Sequence, residues 1–259
     1  MGLFPKTDRE LVVQDIAPPA EEQMRINRFL AECGLGSRRK CEELVTGGRV
    51  RINGRPVVKL ASEVGDKDIV TVDGKKVERR EKQLYIMLNK PKGCVCTVSD
   101  EHGRKTVIDI VRPKYPDARL FPIGRLDYDT EGLLLLTTDG ATADRITHPR
   151  NEVPKTYIAR IEGEVTEAEL NRIRGGVVLD GVKTKKCRAK LIAFENNESR
   201  IEVVITEGRN RQVRRMFEQI NREVVFLKRV AVGDLRLGGL YRGEFRELND
   251  REIEYIRNV

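Results

Sequence analysis

The chain has 259 residues, room for one large domain or two modest ones and ample for a hydrophobic core. Charged residues make up 35%, aromatics only 5% with no Trp, and the net charge of +8 points to a polyanionic partner, usually nucleic acid. No apolar run approaches the roughly 18 residues of a membrane span. Residues 1–10, MGLFPKTDRE, lack the basic-then-apolar pattern of a signal peptide and carry Lys6 where a myristoylation signal needs Ser or Thr. The expectation is a cytoplasmic protein with no membrane partner. Five cysteines form no CxxC pair, and the expected reading is free thiols in a reducing compartment. With only His102 and His148 present, catalysis built on metal-ligating histidines is not expected.

Residues 1–23 carry a charge balance of −3 and no periodic pattern, and read as a flexible tail. Residues 24–83 hold 15 Lys and Arg against 9 Asp and Glu, so positive charge is concentrated in a small unit. Within it, MRINRFLAECGLG (24–36) spaces Ile26, Phe29, Leu30 and Cys33 as one face of a short helix, stopped by Gly34 and Gly36. Ser37 is the expected cap of a second helix, RRKCEELVTGG, whose first turn is Arg38-Arg39-Lys40. Cations at that end oppose the helix dipole, so their placement costs folding and points to a ligand from outside the chain. RVRINGRPV (49–57) and DIVTVDGKKV (68–77) read as hairpins turning at Asn53-Gly54 and Asp73-Gly74. Two helices followed by small curled strands with a basic face resemble the S4 RNA-binding domain, on the elements GLGSRR and GRVRINGR. That resemblance implies RNA contacts from Arg25, Ser37, Arg38, Arg39, Lys40, Arg49, Arg51 and Asn53. ERREKQ (78–83) reads as an exposed linker closing this unit.

From residue 84 to 259 strands dominate. QLYIMLNK, GLLLLTT, KTYIARIEG, CRAKLIAF, SRIEVVIT and VVFLKRVAVGDLRL are β-rich by composition and alternation. Helices are signalled by capping boxes at Thr166/Glu169 and Asn249/Glu252, and by Asn210 ahead of RQVRRMFEQI. There is no βαβ rhythm and no GxGxxG or P-loop. The predicted class is α+β, a small basic domain followed by a larger one on a mainly antiparallel sheet.

Residues 124–140, GRLDYDTEGLLLLTTDG, join a polar turn to four leucines. Asp127 and Asp129 are two apart, so on an extended chain they point to opposite sides, which argues against two carboxylates converging on one bond. One can face a cleft while the other stays structural. Asp129-Thr130 suits a turn whose carboxylate or hydroxyl binds backbone amides. From the residues alone, Asp127 is either structural or catalytic.

The same stretch resembles the signature of pseudouridine synthases of the RsuA/RluB type. NKPKGCVCT (89–97), KTYIARIEG (155–163) and ITEGRNRQVRRMFE (205–218) resemble that family's other motifs, and EGRNRQVRRM with GEFREL is closer to its large-subunit branch. The resemblance implies isomerisation of a uridine in ribosomal RNA, its base detached through N1 and reattached through C5, with no cofactor and no metal. Asp127 matches the catalytic aspartate, Arg214 its basic partner and Tyr157 the tyrosine that stacks on the target base. Arg125 then fills the space of the flipped base, clamps a phosphate or pairs with a neighbouring carboxylate. Arg209, Asn210, Arg211 and Arg215 are expected on backbone phosphates. The implied partner is ribosomal RNA or a ribosomal assembly intermediate, met by a monomer. Two rivals stand beside this reading: a silent RNA-binding assembly factor, and an enzyme cleaving free nucleosides or glycosides.

Overall fold

The computed structural model describes residues 23–79 and 82–259; the expected tail, apart from Gln23, and two linker residues lie outside the described residues. The chain divides into two compact units between Arg79 and Arg80.

In the first unit, β1 (Met24–Arg25) leads into α1 (Ile26–Glu32), followed by α2 (Arg38–Thr46), β2 (Val50–Ile52), β3 (Arg55–Val57), β4 (Glu63–Val64), β5 (Val70–Val72) and β6 (Lys75–Lys76). Ile26 and Leu30 on α1, Cys41 and Val45 on α2, and Val50 on β2 are fully buried together, as their i, i+4 spacing predicts. Ser37 caps α2, its hydroxyl accepting from the Lys40 amide at 3.1 Å. Strands β3-β2-β5-β6 form one antiparallel sheet. Its hairpins turn at Asn53-Gly54 and Asp73-Gly74, all four residues in the left-handed region, as a two-residue hairpin turn of the primed type requires.

The second unit is built on β7 (Tyr85–Lys90), β8 (Phe121–Ile123), β9 (Glu131–Thr137), β10 (Lys155–Glu162), β11 (Val178–Leu179), β12 (Val182–Lys183), β13 (Arg188–Glu195), β14 (Glu198–Ile205), β15 (Val224–Val232), β16 (Leu235–Arg236) and β17 (Phe245–Glu247). Its helices are α3 (Val107–Val111), α4 (Gly140–Thr147), α5 (Glu167–Arg174), α6 (Gln212–Glu218) and α7 (Asp250–Asn258). The main sheet runs β13-β14-β10-β15-β9-β7-β17, antiparallel except where β9 meets β15. The leucine run is explained by this position. Leu134 and Leu136 pack on one side of the sheet with α3, α5 and α6, while Leu133 and Leu135 pack on the other with α4 and α7. A strand covered on both faces has no polar side to alternate with.

The capping boxes at Thr166/Glu169 and Asn249/Glu252 form as expected, and a third joins Thr106 to Asp109 at α3. Asn210 does not cap α6. Arg211 holds that position instead, in the left-handed conformation at φ 47°, and places no side-chain bond on the helix end.

The candidate active site

The turn that presents Asp127 is held from below by Lys90, the last residue of β7. Its side chain is fully buried, and its ammonium donates to three carbonyls: Pro91 (3.1 Å), Asp127 (3.0 Å) and Thr130 (2.9 Å). Three N–H donors meet three acceptors, which satisfies the group without a carboxylate. Burial pulls the lysine below its ordinary pKa, while Cys96, Cys94, Asp127 and Asp129 nearby favour its charge. The turn is closed by Thr130 N–H on the Asp127 carbonyl at 3.1 Å, by Gly93 N–H on the Tyr128 carbonyl at 2.9 Å, and by Leu126 N–H on Cys96 Sγ at 3.3 Å. The carbonyl of Asp127 thus accepts two bonds, and its backbone is locked while its side chain is left free to act.

Gly132 fixes the other end. It stands opposite Arg229 in the parallel β9–β15 pair, at φ +108°, and a Cβ there would lie 2.1 Å from the Arg229 carbonyl oxygen. Only glycine permits this approach.

Asp127 and Asp129 separate as the sequence predicts. Asp127, half-buried, lines a cleft of about 290 Å3 and has no ion pair among the described residues. Asp129 does not line the cleft and takes Arg211 and Arg214, each at 3.2 Å. Two expectations are corrected here. The Asp129 carboxylate binds arginines and not backbone amides, and the Thr130 hydroxyl is buried without a partner. Arg214 pairs with Asp129, not with Asp127. This follows from α6, which carries Arg214 under the turn, where it also donates to the Val224 carbonyl at 2.6 Å and the Asp129 carbonyl at 3.2 Å. Arg214 therefore reaches the turn at Asp129, through its carboxylate and its carbonyl.

Tyr157, almost fully buried on β10, lies between Val203 of β14 and Arg229 of β15 and contributes its ring to the cleft wall. Arg125, exposed, lines the same cleft and makes no ion pair among the described residues, unlike one of the expected alternatives. The segment before α6 supplies Arg209, Asn210 and Arg211 to the rim. Arg209 is already engaged: it donates to the Val182 and Lys183 carbonyls of the β11–β12 hairpin at 2.9 and 3.0 Å. Arg215 forms a two-pronged pair with Asp180 in the same hairpin, at 2.9 and 2.6 Å. Both arginines are tied to the β11–β12 hairpin, and of the two only Arg209 lines the cleft.

On the first unit the expected RNA-contact residues also divide. Arg25, Arg38, Arg39 and Lys40 are exposed and carry no ion pair among the described residues. Arg49 pairs with Asp73, Arg51 donates to the Gly54 carbonyl, and Asn53 ties the Asp68 carboxylate and Ile69 amide.

Three cations of the site carried no assigned role in the sequence: Lys90, Lys155 and Arg229. The signals for Lys90 and Lys155 are their places in the motifs NKPKGCVCT and KTYIARIEG, which assign neither residue a role. Arg229 reads as ordinary strand alternation.

A basic two-helix unit ahead of a mixed sheet whose cleft holds two carboxylates, Glu207 paired with Arg209 and Asp127 without an ion pair, fits an RNA-modifying enzyme. Residues 84–219 match the RNA pseudouridylate synthase family and residues 24–70 the S4 domain. The chain is 44% identical to the ribosomal large subunit pseudouridine synthase B of Bacillus subtilis (strain 168), over 90% of this chain and 95% of that protein. It is 43% identical to an uncharacterized RNA pseudouridine synthase of Aquifex aeolicus (strain VF5), over 90% and 94%. A crystal structure of a pseudouridylate synthase superposes with a TM-score of 0.65 at 33% identity, covering 90% of this chain and 99% of that one. The chain belongs to the RNA pseudouridine synthases, with an S4 domain ahead of the catalytic domain.

Proposed function

We propose that this enzyme converts a uridine of large-subunit ribosomal RNA to pseudouridine, with Asp127 as the catalytic group. The observation that carries the reading is the single unpaired carboxylate at the cleft, on a turn whose backbone is locked by Lys90 and closed against Gly93. The reaction breaks the bond from C1′ to N1, forms one from C1′ to C5, releases the C5 hydrogen as a proton and leaves N1 carrying a proton in its place, so the product is an isomer of the substrate. Redox state is unchanged, so no electron carrier is needed. Asp127 attacks or deprotonates; Tyr157 stacks on the flipped base; Arg214 positions the turn through Asp129. Arg125 stands at the rim, where the base must leave its stack. The large-subunit preference is supported by the similarity to the Bacillus subtilis synthase B. The enzyme acts as a cytoplasmic monomer on ribosomal RNA or an assembly particle. Among the described residues no helix is long and apolar enough to cross a membrane.

The test is tritium release from C5-tritiated large- and small-subunit ribosomal RNA, assayed separately, with Asp127→Asn as control. Release from the large-subunit RNA alone, lost in the variant, is expected. Release from the small-subunit RNA alone would overturn the substrate, and release by Asp127→Asn would overturn the residue.

A further inference from the structure

We infer that Lys155 and Arg229 form an anion subsite inside the cleft, built to take a phosphate group of the nucleotide that enters it. The inference rests on the uridine-isomerising reading and names two residues that reading does not use.

Both side chains line the cleft together with Asp127 and Tyr157. Lys155 begins β10, two residues before Tyr157; Arg229 stands opposite Tyr157 on β15. The two cations therefore flank the stacking tyrosine from neighbouring positions of one sheet. Neither has a carboxylate within ion-pair distance among the described residues. Lys155 Nζ gives one bond, to the Val153 carbonyl at 2.9 Å, and Arg229 gives Nε to the Leu133 carbonyl at 2.8 Å. Arg229 is only 4% exposed, yet among the described residues the end of its guanidinium has no hydrogen-bond partner. Lys155 keeps two ammonium protons unspent.

Two uncompensated cations in a half-buried site are costly, because each is desolvated and each repels the other. Burial first, then the charge of Arg229, pushes Lys155 down to about 8. A structural role does not account for this arrangement, since a methionine at 155 would fill the same space without the charge. An anion from outside does account for it. A uridine turned into the cleft brings its phosphates with it, whereas its neutral base offers only carbonyl acceptors. A phosphate between an ammonium and a guanidinium receives charge-assisted hydrogen bonds, the strong class. It also fixes the sugar relative to Asp127.

The subsite is tested without any RNA target, by NMR titration of the full chain with uridine, uridine 5′-monophosphate and uridine 3′-monophosphate. In the unaltered protein one monophosphate should bind about tenfold more tightly than uridine, in line with a charge-assisted bond. Lys155→Met should lose that gain and Lys155→Arg should keep it. Equal affinity for uridine and both monophosphates, or a phosphate gain that survives Lys155→Met, would overturn the subsite. On ribosomal RNA, Lys155→Met should raise KM about tenfold and Lys155→Arg should restore it. A loss confined to kcat would move Lys155 from phosphate binding to the base. Tritium release by the unaltered chain tests the underlying activity separately, so the two readings fail independently.

Discussion

Arg38-Arg39-Lys40 at the start of α2 and Arg209 to Arg215 around the start of α6 look alike on paper: clustered cations at a helix N-terminus. In the folded chain they are opposites. The first group is exposed and holds no ion pair among the described residues, at a helix end whose dipole repels it. The second is largely spoken for: Arg209 by hairpin carbonyls, Arg211 and Arg214 by Asp129, Arg215 by Asp180. Arg222, beyond α6, joins the second group by pairing with Glu169 at 2.8 Å. A cation left without a partner is open to a ligand from outside the chain, and one given a partner holds the fold. Density of positive charge therefore does not measure RNA contact.

The largest effect should come from Asp127, the cleft carboxylate that, like the α2 cations, holds no ion pair among the described residues. Asp127→Asn removes turnover below detection in the tritium assay while RNA affinity in a filter-binding measurement stays within about twofold, because phosphate contacts dominate affinity. A collapse of affinity in this variant would mean that the cleft, and not the α2 surface, carries RNA binding.

Next is a tied arginine. Arg214→Ala strips a partner from Asp129 and leaves the Val224 carbonyl, deep under the turn, without its donor. Unfolding in denaturant should show a loss of about 2–3 kcal/mol, the range for an orphaned buried acceptor plus a broken charged bond. Turnover should drop by about a hundredfold through misplacement of the turn. A variant that is fully stable but inactive would instead put Arg214 in contact with the substrate.

The third prediction sets the two groups against each other directly. Removing Arg38 and Arg39 together should flatten the slope of log affinity against log salt by roughly 1.4–1.8, since each lost phosphate contact removes about 0.7–0.9. The kcat at saturating RNA should not change. Arg215→Ala should do the reverse, leaving the slope alone while loosening the β11–β12 hairpin and lowering kcat. Equal salt slopes for both variants would erase the distinction between free and tied cations.

How much of this was legible in advance follows from what each feature depends on. The strands were readable because β-branched and alternating residues carry their preference locally, and Ser37, Thr166 and Asn249 announce helix starts within three residues. α3 is five residues of VIDIV, which has the composition of a strand, and only its Thr106/Asp109 box marks it as a helix. Asp127 was recognisable by motif; that it would be unpaired was not. Partner choice is set by tertiary contacts such as that of Arg214 with Asp129, 85 positions away, and no local pattern encodes it. The same holds for Lys90, two of whose three carbonyl acceptors, Asp127 and Thr130, lie 37 and 40 positions away and meet it only in the fold.

The smallest effect tests the tied group through pH. Arg222, with help from the amide and hydroxyl of Thr166, holds the carboxyl of Glu169 down to about 2, below the ordinary value of 4.5. Its folded pKa is depressed, so the folded state binds this proton less readily than the unfolded chain does. The stability it contributes is present above about pH 4.5 and is lost as pH falls through 4.5 toward 2. Glu169→Gln keeps much of the capping geometry but cannot hold the ion pair. Its melting temperature should sit a few degrees below that of the unaltered chain at pH 6 and converge with it near pH 2. The gap should also narrow in high salt, because the pair lies near the surface, where screening leaves isolated ion pairs worth little. A gap that persists unchanged at low pH would show that the Arg222 pair adds nothing, and that Glu169 matters only as the reciprocal half of the α5 capping box.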